Sequence, residues 1–223
     1  MKSHKGTRMM FEDREDAGRQ LAAKLSHSAG AGTAVVLGIP RGGVVVAFQV
    51  ARTLHAPLDV FLSGKLPVPE HEELAFGAMA EDGSCYLNEE IIRVAHVSPL
   101  QIESARKAAA DRLSEKAKRY RTDRAGLELR GRPVILIDDG IATGASMQVS
   151  IETLRSRQVG RLTVAVPVAP AQMCERLRLL VDELVCLIEP KDFGAVSQFY
   201  ADFVQTSDDE VAELLRRATT LAP

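Results

Sequence analysis

The sequence predicts an α/β fold: a doubly wound, mostly parallel sheet with helices on both faces and a small hairpin excursion. Two observations carry this prediction. Short, continuous apolar runs recur along the chain, as is typical of strands buried on both faces of a parallel sheet. Stretches with helical periodicity separate most of these runs, and this alternation is what strand–helix–strand crossovers require.

The first half of the chain supplies two predicted helices and two predicted strands. Residues 11–25 read as a helix because Ala17, Leu21 and Leu25 fall on one face. Residues 34–39 read as a buried strand that is broken at 40–43. Residues 44–54 then read as a helix, despite their valines, because the stretch is long and flanked by glycine. A second short strand follows at 58–62.

Residues 63–97 differ in character and predict a small hairpin insertion. The sequence Glu81-Asp82-Gly83-Ser84 separates two short apolar pieces, and Asp-Gly supplies the positive φ angles of a tight turn. Ser98 and Pro99 then have the types preferred at the N-cap and first position of a helix, which is predicted to run to about residue 121.

The second half alternates regularly. Strands are predicted at 133–137, 162–168 and 184–188, and helices at 145–158, 170–181 and 207–217. The helix at 145–158 turns Met147, Ile151 and Leu154 inward, with Gly160 just past its end. Ser207 and Glu210 have the spacing of a capping box.

Composition indicates one domain over residues 1–223. The chain is 46% apolar and 26% charged with a net charge of -2, which argues against bulk electrostatic binding to nucleic acid or membranes. Its three cysteines are widely spaced, so neither a disulfide framework nor a zinc site is expected. The start lacks an apolar signal core and no run of about 18 apolar residues occurs, so we expect a cytoplasmic protein.

The most informative stretch is I-D-D-G-I-A-T-G-A-S at 137–146. Asp138 and Asp139 follow an apolar strand, and ligands of open α/β sheets bind outside the carboxyl ends of strands. Two adjacent carboxylates are costly to bury, and they accept hydrogen bonds from vicinal sugar hydroxyls well.

The residues after the aspartates resemble an anion cradle. Gly140 and Gly144 permit unusual backbone angles, and Thr143 and Ser146 add hydroxyl donors at the start of a helix. Carboxylates followed by a phosphate cup fit a ribose 5-phosphate. Either feature alone is often structural, but together they are more specific. A Walker A loop is excluded because the lysine is missing and the spacing is one residue short.

V-I-L-I-D-D-G-I-A-T-G-A-S at 134–146 closely resembles the phosphoribosyl pyrophosphate (PRPP) signature of type I phosphoribosyltransferases. The resemblance covers about residues 11–217. It is strongest to a bacterial subgroup of undefined acceptor, through G-I-P-R-G-G at 38–43, E-L-A-F-G-A-M at 73–79 and D-F-V-Q at 202–205.

This resemblance implies a site. Its reacting centre would contain Asp138, Asp139, Arg41 and Lys65, with both aspartates placing Mg²⁺ indirectly through PRPP or water. Its substrate-binding residues would be Pro40, Gly42, Gly43, Gly140, Ile141, Ala142, Thr143, Gly144, Ala145 and Ser146.

The resemblance also implies particular roles for several stretches. Residues 40–43 match the pyrophosphate loop, which often has a non-proline cis peptide, here Pro40–Arg41; a plain strand-to-helix turn is the alternative. Residues 63–97 would form the hood, and 98–130 a long helix and a mobile loop. That loop's basic residues would either cover pyrophosphate or merely be solvated: Lys116, Lys118, Arg119, Arg121, Arg124 and Arg130. A homodimer is implied as well.

Two departures from the family matter. Many relatives carry Arg-Lys where this chain has Gly64-Lys65, so one cation is missing. Hypoxanthine-guanine enzymes have an acid where this chain has Ala142, which argues against that specificity. We expect the acceptor near the hairpin and residues 192–200, where Phe193, Phe199 and Tyr200 either stack on a base or belong to the core.

The resemblance therefore implies Mg²⁺-dependent transfer of 5-phosphoribose from PRPP to a nitrogenous acceptor, with release of pyrophosphate. Alternatives are a PRPP- or nucleotide-binding regulatory module without transfer activity and, third, a hydrolase that uses water as the acceptor. DNA binding is disfavoured by the slightly acidic charge and the missing helix-turn-helix segment.

Overall fold

The computed structural model describes residues 10–26, 33–121 and 126–219. In this part of the chain the strands are β1 (Val35–Gly38), β2 (Leu58–Val60), β3 (Ser63–Val68), β4 (His71–Ala80), β5 (Cys85–Leu87), β6 (Val134–Ile137), β7 (Leu162–Val168) and β8 (Glu183–Ile188). The helices are α1 (Arg14–Leu25), α2 (Gly42–Leu54), α3 (Glu89–Val94), α4 (Pro99–Arg121), α5 (Ala145–Ser156), α6 (Ala171–Arg178) and α7 (Asp208–Ala218), with a 3-10 helix at Val196–Phe199.

The main sheet has five parallel strands in the order β2–β1–β6–β7–β8. The chain leaves β1 toward β2 on one side, and later leaves β6 toward β7 on the other. The order of the strands therefore reverses between β1 and β6, which pair in register from Val35 with Val134 to Gly38 with Ile137. Open α/β sheets bind ligands at the carboxyl ends of strands beside such a reversal.

Helices cover both faces of this sheet, as predicted. Because strand side chains alternate between faces, Val36 belongs to the core under α1, α2 and α7, whereas Val35 and Leu37 belong to the core under α5 and α6. The helix residues predicted to point inward, Leu21, Ile151 and Leu154 among them, are buried. Full burial of such an aliphatic side chain contributes about 1.5–3 kcal/mol of transfer free energy.

The insertion after β2 occupies the predicted range but contains more elements than a single hairpin. It is a three-stranded antiparallel sheet in the order β3–β4–β5, followed by the short helix α3. The predicted turn at 81–84 does join β4 to β5, since Met79 pairs with Cys85. The β3–β4 hairpin and α3 were not predicted. The register of β3 shifts at Pro67. Because proline cannot donate a backbone hydrogen bond, it argues against a strand when only the sequence is considered.

Several helix ends differ slightly from the predictions. Helix α2 begins at Gly42 rather than at residue 44, and α6 ends at Arg178. Helix α5 ends at Ser156, and the positive φ angle after it belongs to Gln158 (55°) rather than to the predicted Gly160. The predicted caps are confirmed: Ser98 Oγ accepts from Gln101 N–H (3.3 Å), and Ser207 Oγ accepts from Glu210 N–H (3.1 Å).

Among the helices of the described ranges, none is both long and apolar enough to cross a lipid bilayer.

Candidate active site

Two loops meet where the strand order reverses. Residues 39–43 follow β1 and residues 138–144 follow β6, and Ile39 N–H donates to Ile137 C=O (2.8 Å) to join them. The peptide bond between Pro40 and Arg41 is cis, as the resemblance implied. The sheet order therefore brings together the two segments that the sequence analysis singled out.

Glycines let these loops pack against each other. A Cβ atom at Gly42 would lie 1.9 Å from Asp139 Oδ2, and one at Gly43 would lie 2.8 Å from Asp138 Cα and 2.9 Å from Ile137 O. These separations are shorter than van der Waals contact. The carboxylates after β6 thus lie directly against the backbone of the loop after β1.

Asp139 is held by contacts from both ends of the chain. Arg14 Nε donates to Asp139 Oδ2 (2.7 Å), while Arg14 Nη1 donates to Val204 C=O (2.7 Å) and its guanidinium lies 3.8 Å from the centre of the Phe203 ring. Tyr200 Oη–H donates to the Asp139 carbonyl oxygen (2.5 Å). The Arg14 and Asp139 side chains are only 11% and 17% exposed, so solvent screens this ion pair weakly.

Asp138 is in a different environment although it is adjacent in sequence. Its Oδ1 accepts from the Asp139 N–H (2.8 Å) and faces Gly43. Burial first, and the neighbouring Asp139 charge second, raise the pKa of Asp138 well above its ordinary value. Hydroxyl donors or a cation at this position would stabilise the ionised form of Asp138 against both its burial and the repulsion from Asp139.

The predicted phosphate cup is formed at the start of α5. Gly144 is the N-cap with a φ of 74°, and no side chain caps the helix there. Ala142, Thr143 and Ser146 are exposed around it, whereas Ile141 is buried and donates its N–H to Val168 C=O (2.9 Å). An uncapped first turn presents free N–H groups and the positive end of the helix dipole to an anion.

A cavity of about 520 Å³ adjoins this cup. It extends from Ala142 and Thr143 across the start of α6 to the segment after β8, with Lys191, Phe193 and Gly194 on its far wall. Of the three aromatic residues considered above, Phe193 borders the cavity. Phe199 and Tyr200 are buried in a core cluster with Phe11, so for these two the core interpretation is confirmed.

The predicted cations are more dispersed. Arg41 is partly buried. A hydrogen bond from Tyr120 is the main cause that lowers the pKa of Asp208, and the charges of Arg119 and Arg41 lower this pKa further. Lys65 is exposed in the middle of β3, where it pairs with Ala78 in the antiparallel sheet.

The basic residues of the predicted mobile loop have diverse surroundings. Arg121 is buried in ion pairs with Asp59 (2.8 Å) and Glu81, and Arg119 contacts Asp208 (2.9 Å) and Asp209. Arg130 Nε donates to Gln158 (3.0 Å), Lys116 and Lys118 are exposed, and Arg124 lies outside the described residues. Arg121 is thus committed to a buried network, which leaves the exposed lysines as freer cations.

The aspartate pair fits a metal that is held mainly by a ligand's own oxygens. One oxygen of Asp139 already meets Arg14, and one oxygen of Asp138 accepts a backbone N–H. A hard divalent ion that keeps several waters and is shared with substrate oxygens suits such partly engaged carboxylates.

Arg14 was missed by the sequence analysis. It lies 125 residues from Asp139 in the chain, and nothing in the pattern of α1 distinguishes it from Arg19, the other arginine of that helix. The available signal was indirect: Phe203, which its guanidinium covers, belongs to the D-F-V-Q stretch at 202–205.

Fold and site define a class. This is a doubly wound α/β protein whose strand-order reversal carries paired carboxylates, a glycine loop with a cis peptide and an uncapped helix N-terminus. The chain belongs to the phosphoribosyl transferase domain family, whose model matches residues 10–203. The resemblance to type I phosphoribosyltransferases is thereby confirmed.

Similar proteins agree with this assignment. The chain is 44% identical over 209 residues to Mycobacterium tuberculosis proteins, from strains CDC 1551 and H37Rv, that carry the provisional name phosphoribosyl transferase. The match covers 94% of this chain, which spans 47% of the length of those relatives. A crystal structure of a Thermus thermophilus protein superposes with a TM-score of 0.84 at 40% identity, covering 96% of this chain and all of that one.

Proposed function

We propose that this chain transfers 5-phosphoribose from PRPP to a nitrogenous acceptor and releases pyrophosphate. The observation that carries the proposal is the order of groups at the reversal of the strands. Two carboxylates are followed within a few residues by an uncapped helix N-terminus. Both carboxylates lie against the glycine loop at 42–43. A ribose with a 5-phosphate and a 1-pyrophosphate has hydroxyls and anions in a matching arrangement.

In the proposed reaction the acceptor nitrogen forms a bond to C1 of the ribose while the bond from C1 to the pyrophosphate oxygen breaks. The nitrogen loses its proton, and pyrophosphate leaves with the bonding electrons. Positive charge develops at C1, so the protein contributes mainly positioning and electrostatic stabilisation. Asp138, kept from full solvation, would accept hydrogen bonds from the ribose hydroxyls, and the first turn of α5 would bind the 5-phosphate.

Leaving-group stabilisation is assigned to the loop after β1. Its backbone at Gly42 and Gly43 would approach the pyrophosphate closely, and Arg41 would add a guanidinium group that can pair with its oxygens. Asp138 and Asp139 would help to hold Mg²⁺, which when bound would neutralise part of the charge that develops on the leaving group. Lys65 remains a proposed contact to PRPP.

The cavity between Thr143 and Phe193 is the proposed acceptor site. It is continuous with the phosphate cup, and it offers one aromatic face and the Lys191 ammonium group. A planar heterocycle could stack on Phe193 while Lys191 donates to one of its oxygen or nitrogen acceptors. The absence of an acid at Ala142 favours acceptors other than hypoxanthine and guanine.

Release of pyrophosphate tests transfer directly. The purified chain is incubated with PRPP, Mg²⁺ and each member of a panel of bases, and pyrophosphate is followed by a coupled assay. We expect release that depends on one acceptor class, is lost in Asp138→Asn and persists in the exposed control Asp111→Asn. Phe193→Ala is expected to raise KM for the acceptor with little change in KM for PRPP. Release that needs no acceptor would instead indicate hydrolysis.

A second candidate, a regulatory module that binds PRPP without transfer, is favoured by the Arg14 contact. The guanidinium neutralises Asp139 and so weakens the negative field that would stabilise charge at C1. This reading predicts PRPP binding together with no pyrophosphate release for any acceptor in the panel.

A further inference from the structure

Two cysteines twelve residues apart in the sequence meet between α6 and β8. Cys174 lies in the first half of α6 and Cys186 lies in β8, which pairs with β7 through Val166 and Cys186. Their sulfur atoms and a carboxylate oxygen of Glu189 all lie within 4.8 Å of one another. We propose that Cys174, Cys186 and Glu189 form a binding site for a thiophilic divalent ion, Zn²⁺, that fastens α6 to the end of β8.

The donor set matches that ion. Two thiolates and one carboxylate are ligands that Zn²⁺ accepts, and thiolate ligands disfavour Mg²⁺ and Ca²⁺. Around a tetrahedral zinc ion, ligand atoms lie about 3.5–3.8 Å apart, so these atoms need to approach by only about 1 Å. Side-chain rotation accommodates such a change without a shift of the backbone.

Burial is graded across the three residues. Cys174 is fully buried, with a sulfur contact to Ala169 C=O at 3.8 Å, whereas Cys186 and the side chain of Glu189 are partly exposed. An ion could therefore enter past Glu189 and Cys186 and bind Cys174 as its most buried ligand. The fourth position would face solvent, where water completes the tetrahedron.

One contact competes with the ion. Arg178 Nη2 lies 2.5 Å from Glu189 Oε1. Because the Arg178 side chain is 46% exposed, solvent screens this ion pair, and it can exchange for a metal ligand at small cost. Removing the guanidinium should therefore strengthen metal binding, which no merely structural role of these residues predicts.

The site has a consequence for the cavity. Residues 170–172 at the start of α6 and residues 191–194 after β8 form opposite parts of its lining, and Ala171 N–H already donates to Pro190 C=O (3.3 Å). A metal bridge between α6 and β8 would fix the separation of these walls. The metal site itself does not depend on the proposed transferase activity.

Cobalt is a visible probe for this site. The full, reduced chain is titrated with Co²⁺, and thiolate-to-cobalt charge-transfer bands are recorded before Zn²⁺ is added as a competitor. We expect one Co²⁺ per chain with the intensity of two thiolates, displaced by Zn²⁺. Cys174→Ala and Cys186→Ser should abolish the bands, Glu189→Gln should weaken affinity about ten-fold or more, and Arg178→Gln should tighten it.

Cys85→Ser is the matched control, because Cys85 lies in β5 of the other sheet; its bands should equal those of the wild type. If Cys174→Ala does not fold, as judged by circular dichroism, the partly exposed Cys186→Ser decides the outcome. Absent bands in the folded, reduced wild type would overturn the proposal, as would bands that survive in Cys186→Ser. A mass decrease of two hydrogen atoms per chain after incubation with oxidised glutathione, which accepts the two electrons, together with no Co²⁺ uptake by the reduced chain, would replace the metal site with a disulfide.

Discussion

Replacing Arg14 by glutamine should destabilise the protein and detach Asp139 from α1. Three contacts are lost: the charged hydrogen bond to Asp139 (2.7 Å), the bond to Val204 C=O (2.7 Å) and the stacking on Phe203 (3.8 Å). A hydrogen bond between charged groups contributes about 1.5–3 kcal/mol and one to a carbonyl about 0.5–1.5 kcal/mol. A cation–π contact adds about 0.5–2 kcal/mol.

These terms are not additive, and Asp139 keeps some access to water because its side chain is 17% exposed. We therefore expect Arg14→Gln to lower the free energy of unfolding by about 3 kcal/mol, near the lower end of the sum. Equilibrium urea denaturation measures this difference as a shift in midpoint at constant slope.

Arg19→Gln on the same helix is the matched control. Arg19 is 47% exposed and lies 3.7 Å from Glu15, so its loss should cost less than about 1 kcal/mol. A double-mutant cycle of Arg14→Gln with Asp139→Asn should give a coupling free energy of about 1–3 kcal/mol. A cost for Arg14→Gln no larger than that for Arg19→Gln, or a coupling near zero, would refute this reasoning.

Three further predictions concern the same fold. Gly43→Ala should destabilise the chain by about 1–3 kcal/mol because its Cβ would meet backbone atoms at 2.8–2.9 Å. Gly64→Ala is its control: the nearest contact of that Cβ lies at 3.8 Å, so this variant should be neutral or slightly stabilising in the same urea assay. Asp59→Asn should lower the free energy of unfolding by about 3–5 kcal/mol, because it leaves the buried Arg121 with Glu81 as its remaining carboxylate; a cost below about 1 kcal/mol would contradict the burial of this pair. Asp138→Asn should stabilise the protein at pH 7. Because the pKa of Asp138 is raised in the folded state, this residue's contribution to the free energy of unfolding is most favourable below its ordinary pKa of 3.8 and is lost as pH rises. The advantage of Asp138→Asn should vanish below about pH 4, and an advantage that is constant with pH would contradict the assignment.

The parallel sheet was predictable because four of its five strands are fully buried. A run such as Val134–Ile137 has no polar residue to satisfy, so the sequence pattern reflects its environment directly. The same pattern located the aspartates at a strand end. The reversal of strand order between β1 and β6 then explains why the loops at 39–43 and 138–144 meet.

The parts that were missed have weak local signals or depend on tertiary packing. Helix α3 has six residues, too few to show helical periodicity, and its cap by Asn88 is a weak signal. Arg14 on Asp139 and Cys174 beside Cys186 are each set by tertiary packing, and no local pattern encodes them. The strand β3, which carries Lys65, was predicted only as part of the hairpin insertion at 63–97, because Pro67 interrupts its strand pattern.

The central claim, a PRPP site at the carboxyl ends of β1 and β6, is tested most directly by calorimetric titration of PRPP into the full chain with and without Mg²⁺. We predict binding with a Kd on the order of micromolar that requires Mg²⁺. It should disappear in the double variant Asp138→Asn/Asp139→Asn and persist in Asp111→Asn, all three proteins being folded by circular dichroism. Heat of binding that is absent from the folded wild type, or that is the same in the double aspartate variant, would contradict the account.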